Sequence, residues 1–208
     1  MGKAIKNMSE EKDIKKSPTF ILLSINVGLY VITSIISKSV FLMDPGMMNL
    51  LGFSVYAIFT GRFYVILTSI FFHSSIAHIG SNMLFLLIYG ASLEDSGFER
   101  EDIFTIYLVT GIVSTILSIP FLGNAVTLGA SGAVFGLLGA IIGYEWNQGG
   151  ETWKKMLFVG FFNFIMANSP NTNVFAHLIG IIAGILITKY PYILQSEYAL
   201  EFKSHANH

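Results

Sequence analysis

Five uncharged polar side chains interrupt long apolar stretches of this chain: His73, His78, Asn82, Ser131 and His177. Ser131 lies in Gly129-Ala130-Ser131-Gly132, and His177 follows Ala176 and precedes Gly180 and Gly184. A serine hydroxyl is a weak nucleophile until a base takes its proton, and histidine is the commonest such base. Ser131 and His177 are therefore a candidate nucleophile and general base, provided the fold brings them together. His78 and Asn82 are spaced to share one helix face and suit donors aimed at a developing oxyanion. Plainer readings exist for each residue alone. A serine in an apolar helix commonly bonds back to its own backbone, a lone histidine near a helix end is commonly structural, and small-xxx-small patterns are general helix glue.

A metal site does not fit. His73 and His78 are separated by Ser74-Ser75-Ile76-Ala77. At about 100° per residue they stand about 140° apart on a helix, and no acidic or thiolate ligand is near. The zinc-protease pattern needs His at i and i+4 with a Glu between them. No metal or other cofactor is expected. Position 133 is Ala, so the segment is not the G-x-S-x-G elbow of soluble hydrolases either. His205 and His208 fall in a polar C-terminal stretch and are expected to be inert.

The elements that must carry these residues follow from the charges. The chain has 208 residues, 53% hydrophobic and 12% charged, with 12 Lys/Arg against 13 Asp/Glu and no Cys. A soluble domain carries roughly 25% charged residues. A soluble enzyme, a disordered chain and a nucleic-acid binder are all disfavoured, and disulfides and thiol chemistry are excluded. The bilayer is the expected solvent. Charge-free runs cover 17–37, 63–93, 103–144 and 156–188. A spanning helix needs about 20 apolar residues. The first two runs hold one span each. The third holds two, broken around Pro120–Gly123, and the fourth holds two, broken at Asn168-Ser169-Pro170-Asn171-Thr172-Asn173. The expectation is an all-α polytopic bundle of six transmembrane helices, at about 18–37, 74–93, 102–119, 131–147, 152–168 and 174–193. Residues 1–17 are expected as a short cytoplasmic tail, 18–193 as the membrane domain and 194–208 as a cytoplasmic tail.

Six spans put both termini on one side. Ten of the Lys and Arg residues fall on that side and only Lys38 and Arg62 on the other, which makes the termini cytoplasmic. Asp, Glu, Lys and Arg fall only near the ends of the spans and none in their interiors, which disfavours pumps and ion transporters. Spans two, four and six run inward from the outer face. On them His78, Asn82, Ser131 and His177 lie about 18–24 Å above the cytoplasmic charges, at 1.5 Å per residue. They share one level, in the outer half of the membrane. Gly132, Gly136 and Gly139 give span four a small face, and Gly180 and Gly184 give span six another. If those faces meet, Ser131 and His177 come within hydrogen-bond reach. Residues 38–73 form an apolar connection too long to be a simple turn. It is expected as short amphipathic pieces in the outer interface, either a cover over the bundle or a substrate-facing element.

These residues resemble the rhomboid family of intramembrane serine proteases. His73-x4-His78-x3-Asn82 is similar to the family's H-x-x-x-N element with its preceding histidine. Gly90, Leu93-Glu94 and Gly97 resemble the following turn, and Tyr107 and Gly111 resemble residues of the third helix. Gly129-Ala130-Ser131-Gly132 resembles the G-x-S-G motif, and Ala176-His177-x-x-Gly180-x3-Gly184 the A-H-x-x-G-x-x-x-G motif. The resemblance covers about 60–190 and is to the basic six-helix bacterial form. One departure is visible: Val65 stands where the family's first loop commonly has Arg, with Arg62 close by. It bears on the loop more than on catalysis.

The resemblance implies a Ser131/His177 dyad, with Phe135 packing on the imidazole. The Ser131 backbone N–H, His78 and Asn82 would form the oxyanion hole. Gly129 and His73 would support the site in a water-filled cavity lined by His73, His78, Asn82 and Ser131. It implies membrane-protein substrates with weak helical segments near the outer face, lipid as surroundings, and a bacterial cytoplasmic membrane. The fifth span, with Phe158, Phe161, Phe162 and Phe164, would be either a movable gate or a lipid-facing wall. A non-proteolytic rhomboid-like binding or quality-control protein is the alternative. A small channel or transporter ranks third, because the polar residues sit at one level and no internal repeat is visible.

Overall fold

The computed structural model describes residues 17–167 and 172–206. The tail expected over 1–16 and the turn at Asn168-Ser169-Pro170-Asn171 lie outside them, as do His208 and the side chain of His205. The regular structure of the described residues is helical, joined by turns and loops, with only isolated bridges of extended chain. Six helices of 16–20 residues carry the bundle: α1 (Pro18–Ser37), α5 (Ile76–Asp95), α6 (Arg100–Leu117), α8 (Ser131–Asn147), α9 (Thr152–Ala167) and α10 (Val174–Lys189). Among the described residues, α1 and α5 are long and apolar enough to cross a membrane by length and composition alone, and α10 is a shorter apolar helix. Between α1 and α5 lie the short helices α2 (Pro45–Leu51), α3 (Val55–Phe59) and α4 (Val65–Thr68). After α6 comes the turn α7 (Ile119–Leu122), and α11 (Glu197–Ala206) ends the described chain.

Local chemistry sets the ends. Pro18 begins α1 behind the N-cap Ser17, where a missing N–H costs nothing. Glu94, at the end of α5, accepts from the Ser17 hydroxyl at 2.7 Å and the Thr19 amide at 3.1 Å. A carboxylate there answers both the orphan amides and the positive helix end. The same contact brings Gly90 so close to Thr19 that a Cβ at position 90 would collide with the threonine side chain.

At the centre stands α8, buried without a break from Gly132 to Gly143. Glycine makes this possible. A Cβ at Gly180 would strike the Gly132 carbonyl, and one at Gly184 the Gly136 carbonyl. The Thr188 hydroxyl donates to the Ala140 carbonyl at 2.9 Å, at the same sequence separation of 48. A constant offset along the seam means that α8 and α10 run parallel and in register, backbone against backbone. On its other side α8 fits α6, with Ser114 filling the space over Gly132 and Thr110 the space over Gly136.

The connection between α1 and α5 is stitched to the segments in front of α5 and α8. Phe53 and Thr127 exchange backbone hydrogen bonds at 2.9 and 2.8 Å, and Met43 N donates to Ser74 O at 2.9 Å. The open carbonyls at the end of α2 are taken by Arg62 Nη1 to Asn49 O at 2.9 Å, Tyr64 Oη to Leu50 O at 3.0 Å and Thr68 Oγ1 to Leu51 O at 2.8 Å. Val65, at the family's usual Arg position, is fully buried beside Phe53 and Ala57. Arg62 thus holds this loop together from three residues upstream.

The stretch expected as a polar C-terminal tail carries α11, and Leu194, Ser196 and Ala199 are fully buried. Asp102 anchors it. This carboxylate is 1% exposed and accepts from the backbone amides of Gln195 and Ser196 at 2.6 and 2.8 Å. A buried carboxylate is tolerated where backbone donors satisfy it.

Candidate active site

Ser131 is the first residue of α8, and His177 sits in the first turn of α10. Because the two helices are parallel and in register, both residues stand at the same end of the seam. Gly132, next to the serine, packs against Gly180, one turn past the histidine. Phe135, one turn after Ser131, lies flat on the imidazole, with ring centroids 4.5 Å apart and planes inclined by 27°. His177 is 2% exposed, and its Nδ1 is buried without a hydrogen-bond partner. Packing, not a carboxylate, orients this ring.

Gly129 is required twice over. Its φ of 127° lies in the region that L side chains rarely adopt, and a Cβ would come within 2.5 Å of the His78 ring. The absence of that Cβ lets His78 close over the start of α8. Ser74 Oγ lies 3.3 Å from His78 Nδ1, and the Ser75 hydroxyl accepts from the His78 amide at 3.2 Å as the N-cap of α5.

A cavity of about 1060 Å³ opens beside these residues. Ser131, His78, Gly129 and Gly132 line it, together with Ser114, Phe121 and Phe175 from the facing segments. His73 and Asn82 were expected on its wall and are not there. His73 is 0% exposed and works from behind: its Nε2 accepts from the Ala130 amide at 3.3 Å, and its ring meets that of His78 edge-on at 5.2 Å. It is a strut for the residue that precedes Ser131. Asn82 is 5% exposed, and its side-chain amide donates to the His78 carbonyl of its own helix at 3.1 Å. His78 occupies the space that the missing Cβ of Gly129 leaves, and of the three it is the one that lines the cavity.

Residues that sequence reasoning passed over complete the support. Asn26 in α1 is 0% exposed and donates to Leu22 O at 2.8 Å and to the Tyr107 hydroxyl at 3.2 Å. Tyr107 in turn donates to Ile70 O at 3.2 Å, and the neighbouring Ser69 carbonyl accepts from the Gly129 amide at 2.8 Å. This chain ties α1 and α6 to the loop in front of the serine. An Asn inside an apolar span was the available signal. Asn173, the N-cap of α10, donates to Ser118 Oγ at 2.9 Å and so fixes the entry to the histidine helix.

The rhomboid-domain family model matches residues 60–192, and the chain belongs to the rhomboid family. The match begins at the loop behind α3 and runs through α10, so it contains His73, His78, Asn82, Gly129, Ser131, Phe135 and His177, while Asn26 of α1 lies before it. Among curated relatives, RHOMBOID-like protein 7 of Arabidopsis thaliana is 36% identical over 130 residues, 59% of this chain and 41% of that protein. The mitochondrial RHOMBOID-like protein 6 of the same plant is 33% identical over 130 residues, 59% of this chain and 41% of its own length. Rhomboid-type serine protease 2 of Emericella nidulans is 28% identical over 142 residues, 62% of this chain and 28% of that protein. This chain therefore spans well under half of the length of these relatives. Membership makes the protein an integral membrane protein of a family that includes intramembrane serine proteases. The expectation of a bacterial cytoplasmic membrane gains no support from relatives of this kind, one of them named as mitochondrial.

Proposed function

We propose that this protein is an intramembrane serine protease using Ser131 as nucleophile and His177 as general base. The observation that carries the reading is the parallel glycine seam, with both residues at one end of α8 and α10 and Ser131 on the wall of a large cavity. Ser131 Oγ attacks the scissile carbonyl carbon while His177 takes its proton. The tetrahedral oxyanion is received by the Ser131 backbone N–H, an orphan donor at a helix start, and by His78 on the cavity wall. Asn82 supports them with the amide N–H that its own helix leaves free. His177 then passes the proton to the leaving amine, and water from the cavity resolves the acyl-enzyme. Phe135 and the unpartnered Nδ1 suit a dyad with no third, acidic member.

The substrates are membrane proteins whose helices unwind near the outer face, since only an exposed peptide bond can reach Ser131. The six long helices are read as six spans with both described ends on the cytoplasmic side. Weighed against proteolysis is a binding role without cleavage, and retention of both Ser131 and His177 favours proteolysis.

The test is labelling of the purified protein by a serine-reactive fluorophosphonate, beside cleavage of a reconstituted single-span substrate. Wild type is expected to label and cleave, and Ser131→Ala and His177→Ala to do neither. Equal labelling of wild type and Ser131→Ala would sink the assignment.

A further inference from the structure

We propose that α9 positions the catalytic base from a distance, through the contacts Tyr89–Asn163, Phe164–Phe135 and Phe135–His177. The proposal rests on His177 being that base. α9 has almost no core of its own: Gly160 is its one buried residue among those described. Yet Asn163 ties it to a neighbouring helix. Asn163 Nδ2 donates to the Tyr89 hydroxyl of α5 at 2.7 Å. Tyr89 is 5% exposed and stacks on Phe85 at 5.7 Å, so the acceptor is fixed. Where side chains have only lipid as the alternative, such a bond decides how a weakly packed helix is seated.

The next residue faces a different neighbour. Successive helix positions are about 100° apart, so that Asn163 reaches α5 while Phe164 reaches α8. The Phe164 ring meets Phe135 edge-on, with centroids 6.5 Å apart and planes at 76°, a favourable aromatic geometry. Phe135 lies on the His177 imidazole. The α10 backbone is held by the glycine seam, but the imidazole torsions are not, because Nδ1 has no partner. What fixes the ring is Phe135, and what backs Phe135 is Phe164. Breaking the bond at Asn163 unseats α9 and loosens that backing. Tyr89, Asn163 and Phe164 are positioning residues, and none touches the reacting atoms.

The experiment uses the full chain in detergent or nanodiscs, with Tyr89→Phe, Asn163→Ala, the double variant, Phe164→Ala and the conservative Phe164→Leu. Two readouts are taken. The first is the ring signal of His177 in isotope-labelled histidine spectra, which needs no activity. The second is the rate at which a small fluorophosphonate labels Ser131. The His177 signal is expected to shift in each variant while that of His73 stays. Labelling is expected to slow about tenfold, less than the roughly 100-fold that a 1 Å misplacement can cost. The double variant is expected to be no worse than either single, and Phe164→Leu to recover part of the rate. A His177 signal unmoved in Asn163→Ala and Phe164→Leu proteins of unchanged thermal midpoint overturns the proposal, as do additive effects of Tyr89→Phe and Asn163→Ala. If His177 shifts as expected but wild type is never labelled, the coupling stands and the protease reading fails.

Discussion

The helices α8 and α9 are adjacent in sequence and nearly equal in length, at 17 and 16 residues, but the protein treats them oppositely. Every residue of α8 from Gly132 to Gly143 is buried, with glycines spaced to admit α10 and α6 to its backbone. α9 instead turns Phe158, Phe161, Phe162 and Ile165 outward, between 52% and 72% exposed. The contrast separates two demands. Close backbone packing fixes the helix that begins at Ser131 against the helix that carries His177. The helix beside it makes its large apolar surface available to lipid. Dispersion gained from close packing, not the hydrophobic effect, is what distinguishes the two inside a membrane.

Ser131→Ala presses the comparison hardest. It leaves the glycine seam in place, so the bundle is expected to keep its unfolding midpoint while turnover falls on the order of 10⁴–10⁶-fold, read by substrate cleavage. Gly184→Ala attacks the seam itself, since the new methyl would meet the Gly136 carbonyl and lie 2.8 Å from the Ala140 amide nitrogen. It should cost about 3 kcal/mol in detergent unfolding, at the upper end for an overpacked site. An intermediate effect is expected at the far end of the bundle. Asp102→Asn weakens two charge-assisted bonds to the α11 entry and should cost about 1.5–3 kcal/mol, visible as earlier proteolysis or exchange of 194–206. The matching glycine change on α9, Gly160→Ala, meets only the flexible ends of Leu138, at 3.2 Å, and Ile142, at 3.8 Å. It should shift stability by less than about 1 kcal/mol in either direction, because better helix propensity offsets the tighter contact. Smallest of all is Phe158→Ala, at a side chain 72% exposed, within about 0.5 kcal/mol by the same unfolding assay. A large loss at Gly160 or Phe158 would break the distinction between the two helices.

Much of the site could be read from the chain. The level shared by His78, Asn82, Ser131 and His177 follows from counting residues to the nearest charges, and Gly180 and Gly184 announce a close helix contact. Phe135 is placed by being one turn from Ser131. Which of the polar residues reach the opening could not be read. His73, His78 and Asn82 all read as polar residues of one segment, yet of the three only His78 lines the cavity, in the space over Gly129. The polar residues that tie distant elements were equally hidden. Asn26 finds Tyr107 across 81 positions, and Asp102 finds Gln195 across 93. A polar group declares its type in sequence, but its partner depends on which backbones end up adjacent.

The sequence by itself determined a helical chain for the bilayer, the register of its small faces and the residue types of a serine–histidine pair. Those are properties of spacing along one dimension. The tertiary structure alone decided that His78 walls the cavity while His73 braces Ala130 from behind. It alone decided that Arg62, not the residue at the usual position, secures the first loop, and that the last segment docks on Asp102. Each of these turns on contacts between elements far apart in the chain, and the energy of such a contact exists only once both backbones are in place.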